Sequence, residues 1–301
     1  MRRAYLTLVG LMACHDKATP PPPPPPPPHD GVVLIQPGVP PRQALRYQLT
    51  RGATIKSRMV CDVDVKNSEL GAPMPSQVLE LETVVEDVLA SGDARLRITV
   101  VDAGIRDRPG ATSTDVVRAQ TAALRSVVIT ETLAPDGQIS DARVDAGASP
   151  EPLHQELDSL LQNLARVATR LPAEPVGVGA TWRERRTLPG GGIRAVSEIT
   201  YTLTSHAGTT IGFTTVAQAS GPPQTVEQDG EKVEVTDTSG HAEAGGSLDL
   251  ARYALELTTS SAFATTMALA APDAGHGAER STIEITIAIR MTSAQGAQSA
   301  P

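Results

Sequence analysis

The segment 283–291 most constrains the fold, because its apolar residues recur at every second position. Large aliphatic side chains alternate there with small or polar ones, the apolar set being Ile283, Ile285, Ile287, Ile289 and Met291. Successive side chains of a β-strand point to opposite faces of the sheet, so the whole set falls on one face. The chain therefore needs a sheet with one buried face.

The same period recurs along most of the chain. It predicts strands within 45–65, 78–89, 95–101, 124–133, 138–144, 181–188, 193–205, 209–219, 231–236, 248–258 and 263–269. The turn residues Ser91–Asp93 and Pro135–Gly137 predict two hairpins, and a slip in the alternation near Arg252 predicts a bulge. The segments 107–114 and 221–230 are predicted loops.

Between residues 150 and 171 the period changes to threes and fours. The apolar positions are Leu153, Leu157, Leu160, Leu161, Leu164, Val167, Ala168 and Leu171, which predict an amphipathic helix that ends at Pro172. Its polar face carries residues such as Gln155, Glu156 and Asp158 instead of the Lys and Arg typical of membrane-surface helices. We therefore expect this helix to pack on the protein's own sheet.

These elements predict a mainly β fold in which a curved antiparallel sheet, open like a half-barrel, wraps on the helix near 150–171. One domain is expected over 44–292, with two similar halves around the helix as an alternative. Residues 293–301 are predicted to be a disordered tail.

The N-terminus has the layout of a secretory signal peptide over residues 1–13. Arg2 and Arg3 precede an apolar stretch that is too short to cross a bilayer. The stretch ends Leu11-Met12-Ala13-Cys14, which resembles the lipobox of bacterial lipoproteins. That resemblance implies cleavage before Cys14 and acylation of its thiol, and two or more acyl chains anchor a protein stably to a membrane.

A polyproline run follows the cysteine, from Pro20 to Pro28. Such a run adopts an extended helix, so nine residues hold the domain off by about 28 Å. With the irregular residues after it, the run predicts a stalk over 14–43. The alternative is a ligand for a proline-recognition groove.

The predicted fold resembles the open half-barrel of Lol-type envelope lipoprotein carriers and of mycobacterial lipid-binding lipoproteins. The likeness is architectural and covers most of residues 45–292. The segment Leu171–Trp182, with the sequence LPAEPVGVGATW, resembles a segment of uncharacterised bacterial envelope lipoproteins. That resemblance implies an envelope location without an assigned activity.

Composition excludes several classes of partner. The net charge is −8 and aromatic residues make up 2% of the chain, which argues against nucleic acid. If Cys14 is acylated, Cys61 has no cysteine partner in the chain. Cys61 shares the parity of a predicted strand's apolar face, which favours a buried cysteine over a reactive or partner-linking thiol.

The sequence contains no recognisable catalytic or cofactor-binding motif. It lacks HExxH, paired cysteine ligands, a G-x-S-x-G elbow, a P-loop and a dinucleotide fingerprint. We therefore do not expect enzyme activity, a bound metal or a cofactor. The acidic residues Glu227, Asp229 and Glu231 form a solvated loop or a cation site. Trp182 is a core anchor or a residue at the mouth of a ligand groove.

These observations predict a membrane-anchored, noncatalytic envelope lipoprotein, with an apolar ligand such as a lipid in its half-barrel groove. The alternative is a structural or assembly lipoprotein that docks a periplasmic protein. His15, instead of an aspartate, follows Cys14, which by the enterobacterial sorting rule predicts the outer membrane.

Overall fold

A computed structural model describes residues 31–66, 71–111, 114–145, 169–188, 193–228, 231–269 and 279–294. The described residues form fourteen strands and one helix, α1 (Thr114–Ala123). The strands are β1 (Val32–Gln36), β2 (Thr54–Lys66), β3 (Gly71–Pro73), β4 (Ser76–Val88), β5 (Ala94–Arg106), β6 (Val128–Leu133), β7 (Ile139–Asp145), β8 (Thr181–Leu188), β9 (Ala195–Ala207), β10 (Thr210–Gly221), β11 (Gln224–Gln228), β12 (Glu231–Asp249), β13 (Ala254–Leu269) and β14 (Glu279–Ala294).

All strands belong to one antiparallel sheet, in the order β1-β8-β9-β10-β12-β13-β14-β2-β4-β5-β6-β7. β3 pairs with β2, and β11 pairs with β12. The sheet consists of two meanders, 54–145 and 181–294, which meet where β14 pairs with β2. β1 and β7 end the sheet without pairing with each other, so the predicted open, mainly β antiparallel fold is confirmed.

The sheet curls so that distant strands share one core. The amide of Tyr47 donates to the carbonyl of Pro135, after β6, at 2.9 Å, and the amide of Gln48 donates to that of Leu250, before β13, at 3.0 Å. Along the strand order β6 and β13 are five steps apart, which is about 24 Å in a flat sheet. Consecutive Cα atoms are about 3.8 Å apart, so only a curled sheet lets one short segment bind both turns.

The main core fills this curl at one end. It joins apolar side chains of β4, β5 and β6 to those of β8, β9, β10, β12 and β13 through the connecting segments. Leu45, Tyr47 and Leu49 alternate into that core, but they lie outside any strand. The predicted strand therefore begins only at Thr54, because residues 45–50 cross the end of the sheet instead of joining a ladder.

The helical predictions have two outcomes. Residues 146–168, which contain most of the helix predicted over 150–171, lie outside the described residues, and Thr169–Leu171 are not helical. The described helix α1 begins at the end of the loop predicted over 107–114 and ends just before the strand predicted over 124–133, in a segment where the sequence analysis predicted no helix. It packs on β5, and Thr121 in the helix and Leu124 directly after it are buried. Because the polar residue Thr121 lies among the buried positions, the apolar residues alone do not show a helical period.

Several predicted boundaries are wrong. β1 pairs with β8, so the sheet includes Val32–Gln36, which the prediction assigned to the stalk over 14–43. β11 lies in the predicted loop 221–230. The strand predicted over 248–258 straddles a turn at Leu250–Tyr253, where the bulge was expected, and β12 runs unbroken through Gly245 and Gly246. The sequence pattern does not predict this part of β12 because its glycine and alanine residues show no apolar alternation. Pairing with the neighbouring strands on both sides, and not the side chains, stabilises the strand there.

Truncating Leu45 tests the role of the crossing segment. Its side chain is fully buried although it lies in no strand, so Leu45→Ala should lower the free energy of unfolding by about 2–5 kcal/mol. Val39→Ala, at a side chain that is 62% exposed, should change it by less than about 0.5 kcal/mol. Urea denaturation of both variants measures this. Equally small changes in the free energy of unfolding for the two variants would show that residues 45–50 contribute little to the stability of the core.

Candidate functional site

A groove lies on the concave face of strands β8, β9, β10, β12, β13 and β14. Its floor consists of small side chains on three neighbouring strands. These are Thr215, Ala217 and Ala219 on β10, Gly240, Ala242 and Ala244 on β12, and Thr259 and Ser261 on β13. The register places Ala217 opposite Ala242, and Ala242 opposite Ser261, so the small residues form continuous rows across the sheet. The hollow exists because no large side chain rises from these rows.

Larger apolar side chains form the walls. Ile199 and Tyr201 stand on β9, and Ile287 and Ile289 stand on β14, while Phe213 borders the end nearest the main core. The cavity measures about 150 Å³, within about 1040 Å³ of space that includes open solvent. A concave, mostly apolar cleft is the common form of a small-molecule site, and this cavity is smaller than the roughly 300–1,000 Å³ typical of such sites.

A charged pair lies at the β8 side of the groove. Trp182, Glu184 and Arg186 share one parity on β8 and point inward, whereas Arg183 and Arg185 lie outside and pair with Glu198. The Nε of Arg186 donates to Oε1 of Glu184, and the Tyr201 hydroxyl donates to Oε2 at 2.9 Å. Each carboxylate oxygen of Glu184 thus has a donor, as a buried charge requires.

Arg186 stays charged in this setting. Burial lowers the pKa of its guanidinium, but the neighbouring Tyr201 and Glu184 outweigh that effect and leave the pKa raised. The Glu184 side chain is 4% exposed and that of Arg186 is 18% exposed. Arg186 lines the groove and Glu184 does not, so the cation borders the cavity.

Trp182, the candidate ligand-binding residue, is a core residue instead. It is fully buried, stacks on Tyr201 with ring centroids 5.3 Å apart, and donates from Nε1 to the carbonyl of Arg170 at 2.8 Å. It does not line the groove. The core interpretation is confirmed, and its contribution to the site is to support the wall residue Tyr201.

A second, smaller cavity of about 30 Å³ lies between the two halves of the sheet. Leu255 and Met291, two residues along their strands from the groove-lining Leu257 and Ile289, border it with Tyr47 and Tyr253. Glu131 also faces this cavity from β6 and is buried. Desolvation raises its pKa from 4.5 to about 7.

Cys61 is buried on the inner face of β2, as predicted, opposite Ile289. Burial, reinforced by the charge of Asp62, raises the pKa of its thiol to about 11. The thiolate is the reactive form, so a thiol with this pKa is a poor nucleophile at neutral pH. Cys14 lies outside the described residues.

The remaining predicted site is a hairpin. Glu227 on β11 and Glu231 on β12 belong to paired strands, so the predicted acidic loop is wrong as to structure, and Asp229 lies outside the described residues. Within the ranges that the structure describes, no group of three or more His, Cys, Asp or Glu side chains could hold a metal ion. The helix found in those ranges is too short and too polar to cross a bilayer.

The sequence analysis missed the residues that make the groove. Ala242, Gly240 and Ala244 lie in a stretch without apolar alternation, and inward-facing charges such as Glu184 contradict the usual pattern. One indication was available: Glu184 and Arg186 share the parity of Trp182, which predicts that all three face the same side of a strand.

No protein-family model matches this sequence, and no curated protein is similar enough to indicate a relationship. The site therefore has to be interpreted from its geometry alone.

Glu131 predicts a pH-dependent stability. Between pH 4.5 and about 7 the unfolded chain loses a proton that the folded protein keeps, so this group's contribution to stability is full below pH 4.5 and is lost as the pH rises to about 7. Glutamine does not titrate, so the free energy of unfolding of the Glu131→Gln variant, taken relative to that of the parent, should rise by about 3 kcal/mol between pH 4 and pH 8.

Denaturation of both proteins at pH 4, 6 and 8 measures this gain. Glu256→Gln, which removes an exposed carboxylate on β13, is the matched control and should track the parent. A constant difference between the Glu131→Gln variant and the parent across the three pH values would contradict a buried, titrating Glu131.

Proposed function

We propose that this protein is a lipid-anchored, noncatalytic lipoprotein of the bacterial cell envelope that holds an apolar ligand, such as a lipid, in the groove of its curled sheet. The observation that carries the proposal is the floor of small side chains on β10, β12 and β13 between aliphatic walls. A packed core would fill such a hollow with larger residues, because protein interiors leave few voids.

The chemistry of the groove favours binding over catalysis. Its lining is largely aliphatic, and its inward cation, Arg186, already forms a hydrogen-bonded pair with Glu184, which is buried behind the lining. A catalytic group needs a partner that shifts its protonation at the reacting atom. A neutralised pair beside an apolar surface is better suited to orienting a ligand.

The N-terminal sequence supports the anchor. The lipobox-like residues end at Cys14 and the sheet begins at Val32, so the connection consists largely of the polyproline run. β1 pairs with β8, whose inner side bears Arg186 at the groove. An acylated Cys14 would thus tether the protein through the strand next to the groove wall.

Filling the groove tests ligand binding. Ala242 lies in the middle of the floor, and Ala242→Leu places a larger side chain there without changing the core around Trp182. Native protein purified from membranes should carry noncovalent lipid that mass spectrometry detects in its organic extract. The variant should retain at least about five-fold less, since the added side chain occupies the ligand's space.

Gln218→Leu is the matched control because it adds the same side chain to the exposed face of β10. It should retain lipid like the parent, and both variants should show similar melting temperatures. A parent protein that carries no lipid, or an Ala242→Leu variant that folds and keeps the parent's lipid content, would contradict the proposed function.

Acylation has its own test. Cells grown with labelled palmitate should incorporate label into the parent protein, and Cys14→Ser should abolish both the label and membrane association. Cys61→Ser, which removes the buried thiol, should leave the labelling unchanged. Label that survives the change at Cys14 would refute the anchor without bearing on the groove.

A further inference from the structure

We propose that the groove takes a single unbranched alkyl chain, which lies along β12 with its methyl end against Phe213 and Leu257. This inference rests on the proposed function, because it assigns the shape of the ligand that the same groove holds. The carrying observation is a small apolar hollow that large, buried side chains close at one end.

The floor of the groove forms a track along one strand. Gly240, Ala242 and Ala244 are alternate residues of β12, and all three line the groove. Their neighbours across the sheet are also small, since Ala242 pairs with Ala217 on β10 and with Ser261 on β13. Because larger side chains stand on the outer strands of the groove, the hollow between them follows the direction of β12.

One end of this track is closed by the main core. Phe213 and Leu257 line the groove there, are 3% and 9% exposed, and belong to the main core. Both pair with Gly246, two residues beyond Ala244 on β12. A hydrated headgroup would lose its water at this end without a compensating partner, so the end suits the methyl terminus of a chain.

Two hydroxyl groups on the floor already form hydrogen bonds within the sheet. The Ser261 hydroxyl donates to the carbonyl of Ile287 at 3.0 Å, and the Thr259 hydroxyl accepts from the amide of Ile289 at 3.2 Å. Both bonds join β13 to β14, which forms a wall of the groove. With these polar groups engaged, the floor favours a hydrocarbon over a polar molecule.

The volume of the cavity limits what can enter it. The cavity measures about 150 Å³, and an apolar cavity of about that volume holds one benzene molecule, which has about six carbon atoms. Two chains side by side, or a branched chain, need a wider hollow. The enclosed part therefore admits the end of one linear chain, and the rest of that chain lies in the open part of the groove.

A displacement assay with uncharged alcohols tests the shape of the chain. The probe is N-dodecyl dansylamide, whose fluorophore is at its headgroup, and the protein is the full chain after removal of lipid. Dodecanol and its branched isomer 2-butyloctanol, which have the same composition and the same headgroup, compete with the probe. Dodecanol should displace it at about ten-fold lower concentration, because the branch does not fit beside the main chain.

Chain length gives a second readout. For linear alcohols from hexanol to tetradecanol, the concentration for half displacement should fall about four-fold per methylene and level off once the chain fills the track. Ala244→Leu fills the closed end, so the levelling length should become shorter by about two carbons. Leu257→Ala enlarges that end, so the levelling length should increase by about two carbons.

Thr214→Leu is the matched control. Thr214 is exposed on the outer face of β10, so the variant adds a leucine beside the closed end but outside the groove. It should keep the parent's levelling length and its preference for the linear isomer. Melting temperatures identify the folded variants, and the opposite changes at Ala244 and Leu257 test the same end if one variant does not fold.

The outcomes distinguish the two proposals. The single-chain inference is overturned by equal displacement by the two isomers in the parent, or by affinity that rises up to tetradecanol without levelling off. It is also overturned by a levelling length that stays unchanged in folded Ala244→Leu or Leu257→Ala. Each of these results leaves the carrier function standing, whereas a parent protein that binds neither the probe nor any alcohol overturns the proposed function itself.

Discussion

The backbone ladder between β14 and β2 is the constraint on which the rest of the structure depends. It joins the last described strand of the chain to the first long one, from Glu284 opposite Lys66 to Ala294 opposite Lys56. Each meander is held by local hairpins, whereas this ladder pairs residues more than 200 positions apart and makes the two meanders one sheet. It also fixes Ile287 and Ile289 as the far wall of the groove.

The curl of that sheet depends on residues that belong to no strand. Tyr47 illustrates how: its amide binds the turn after β6, its hydroxyl donates to the Thr169 carbonyl at 3.2 Å, and its ring contacts Tyr253. Because Tyr47 and its neighbours bind both the turn after β6 and the turn before β13, they hold the two halves of the sheet together over the main core at this end. The groove and the cavity of Glu131 are the interior that this closure leaves unfilled.

Much of the strand pattern was predictable because hairpins are local. Pro135–Gly137 and Ser91–Asp93 mark turns that the structure contains, with Gly137 and Gly92 at positive φ, and the alternation from Ile283 to Met291 gives β14. The groove was not predictable in the same way. Ala217, Ala242 and Ser261 are far apart in the sequence and carry no pattern, so only their register makes them one floor. The same is true of α1, whose buried stripe includes Thr121.

The sequence by itself determined the antiparallel β class, most strands of both meanders and the inward parity of Cys61, because these follow from a period of two and from local turns. Tertiary structure alone decided that residues 45–50 cross the core, that Val32–Gln36 joins the sheet, and that Arg186 borders a cavity. Those features depend on contacts between segments that are distant in the chain, which no local pattern of side chains encodes.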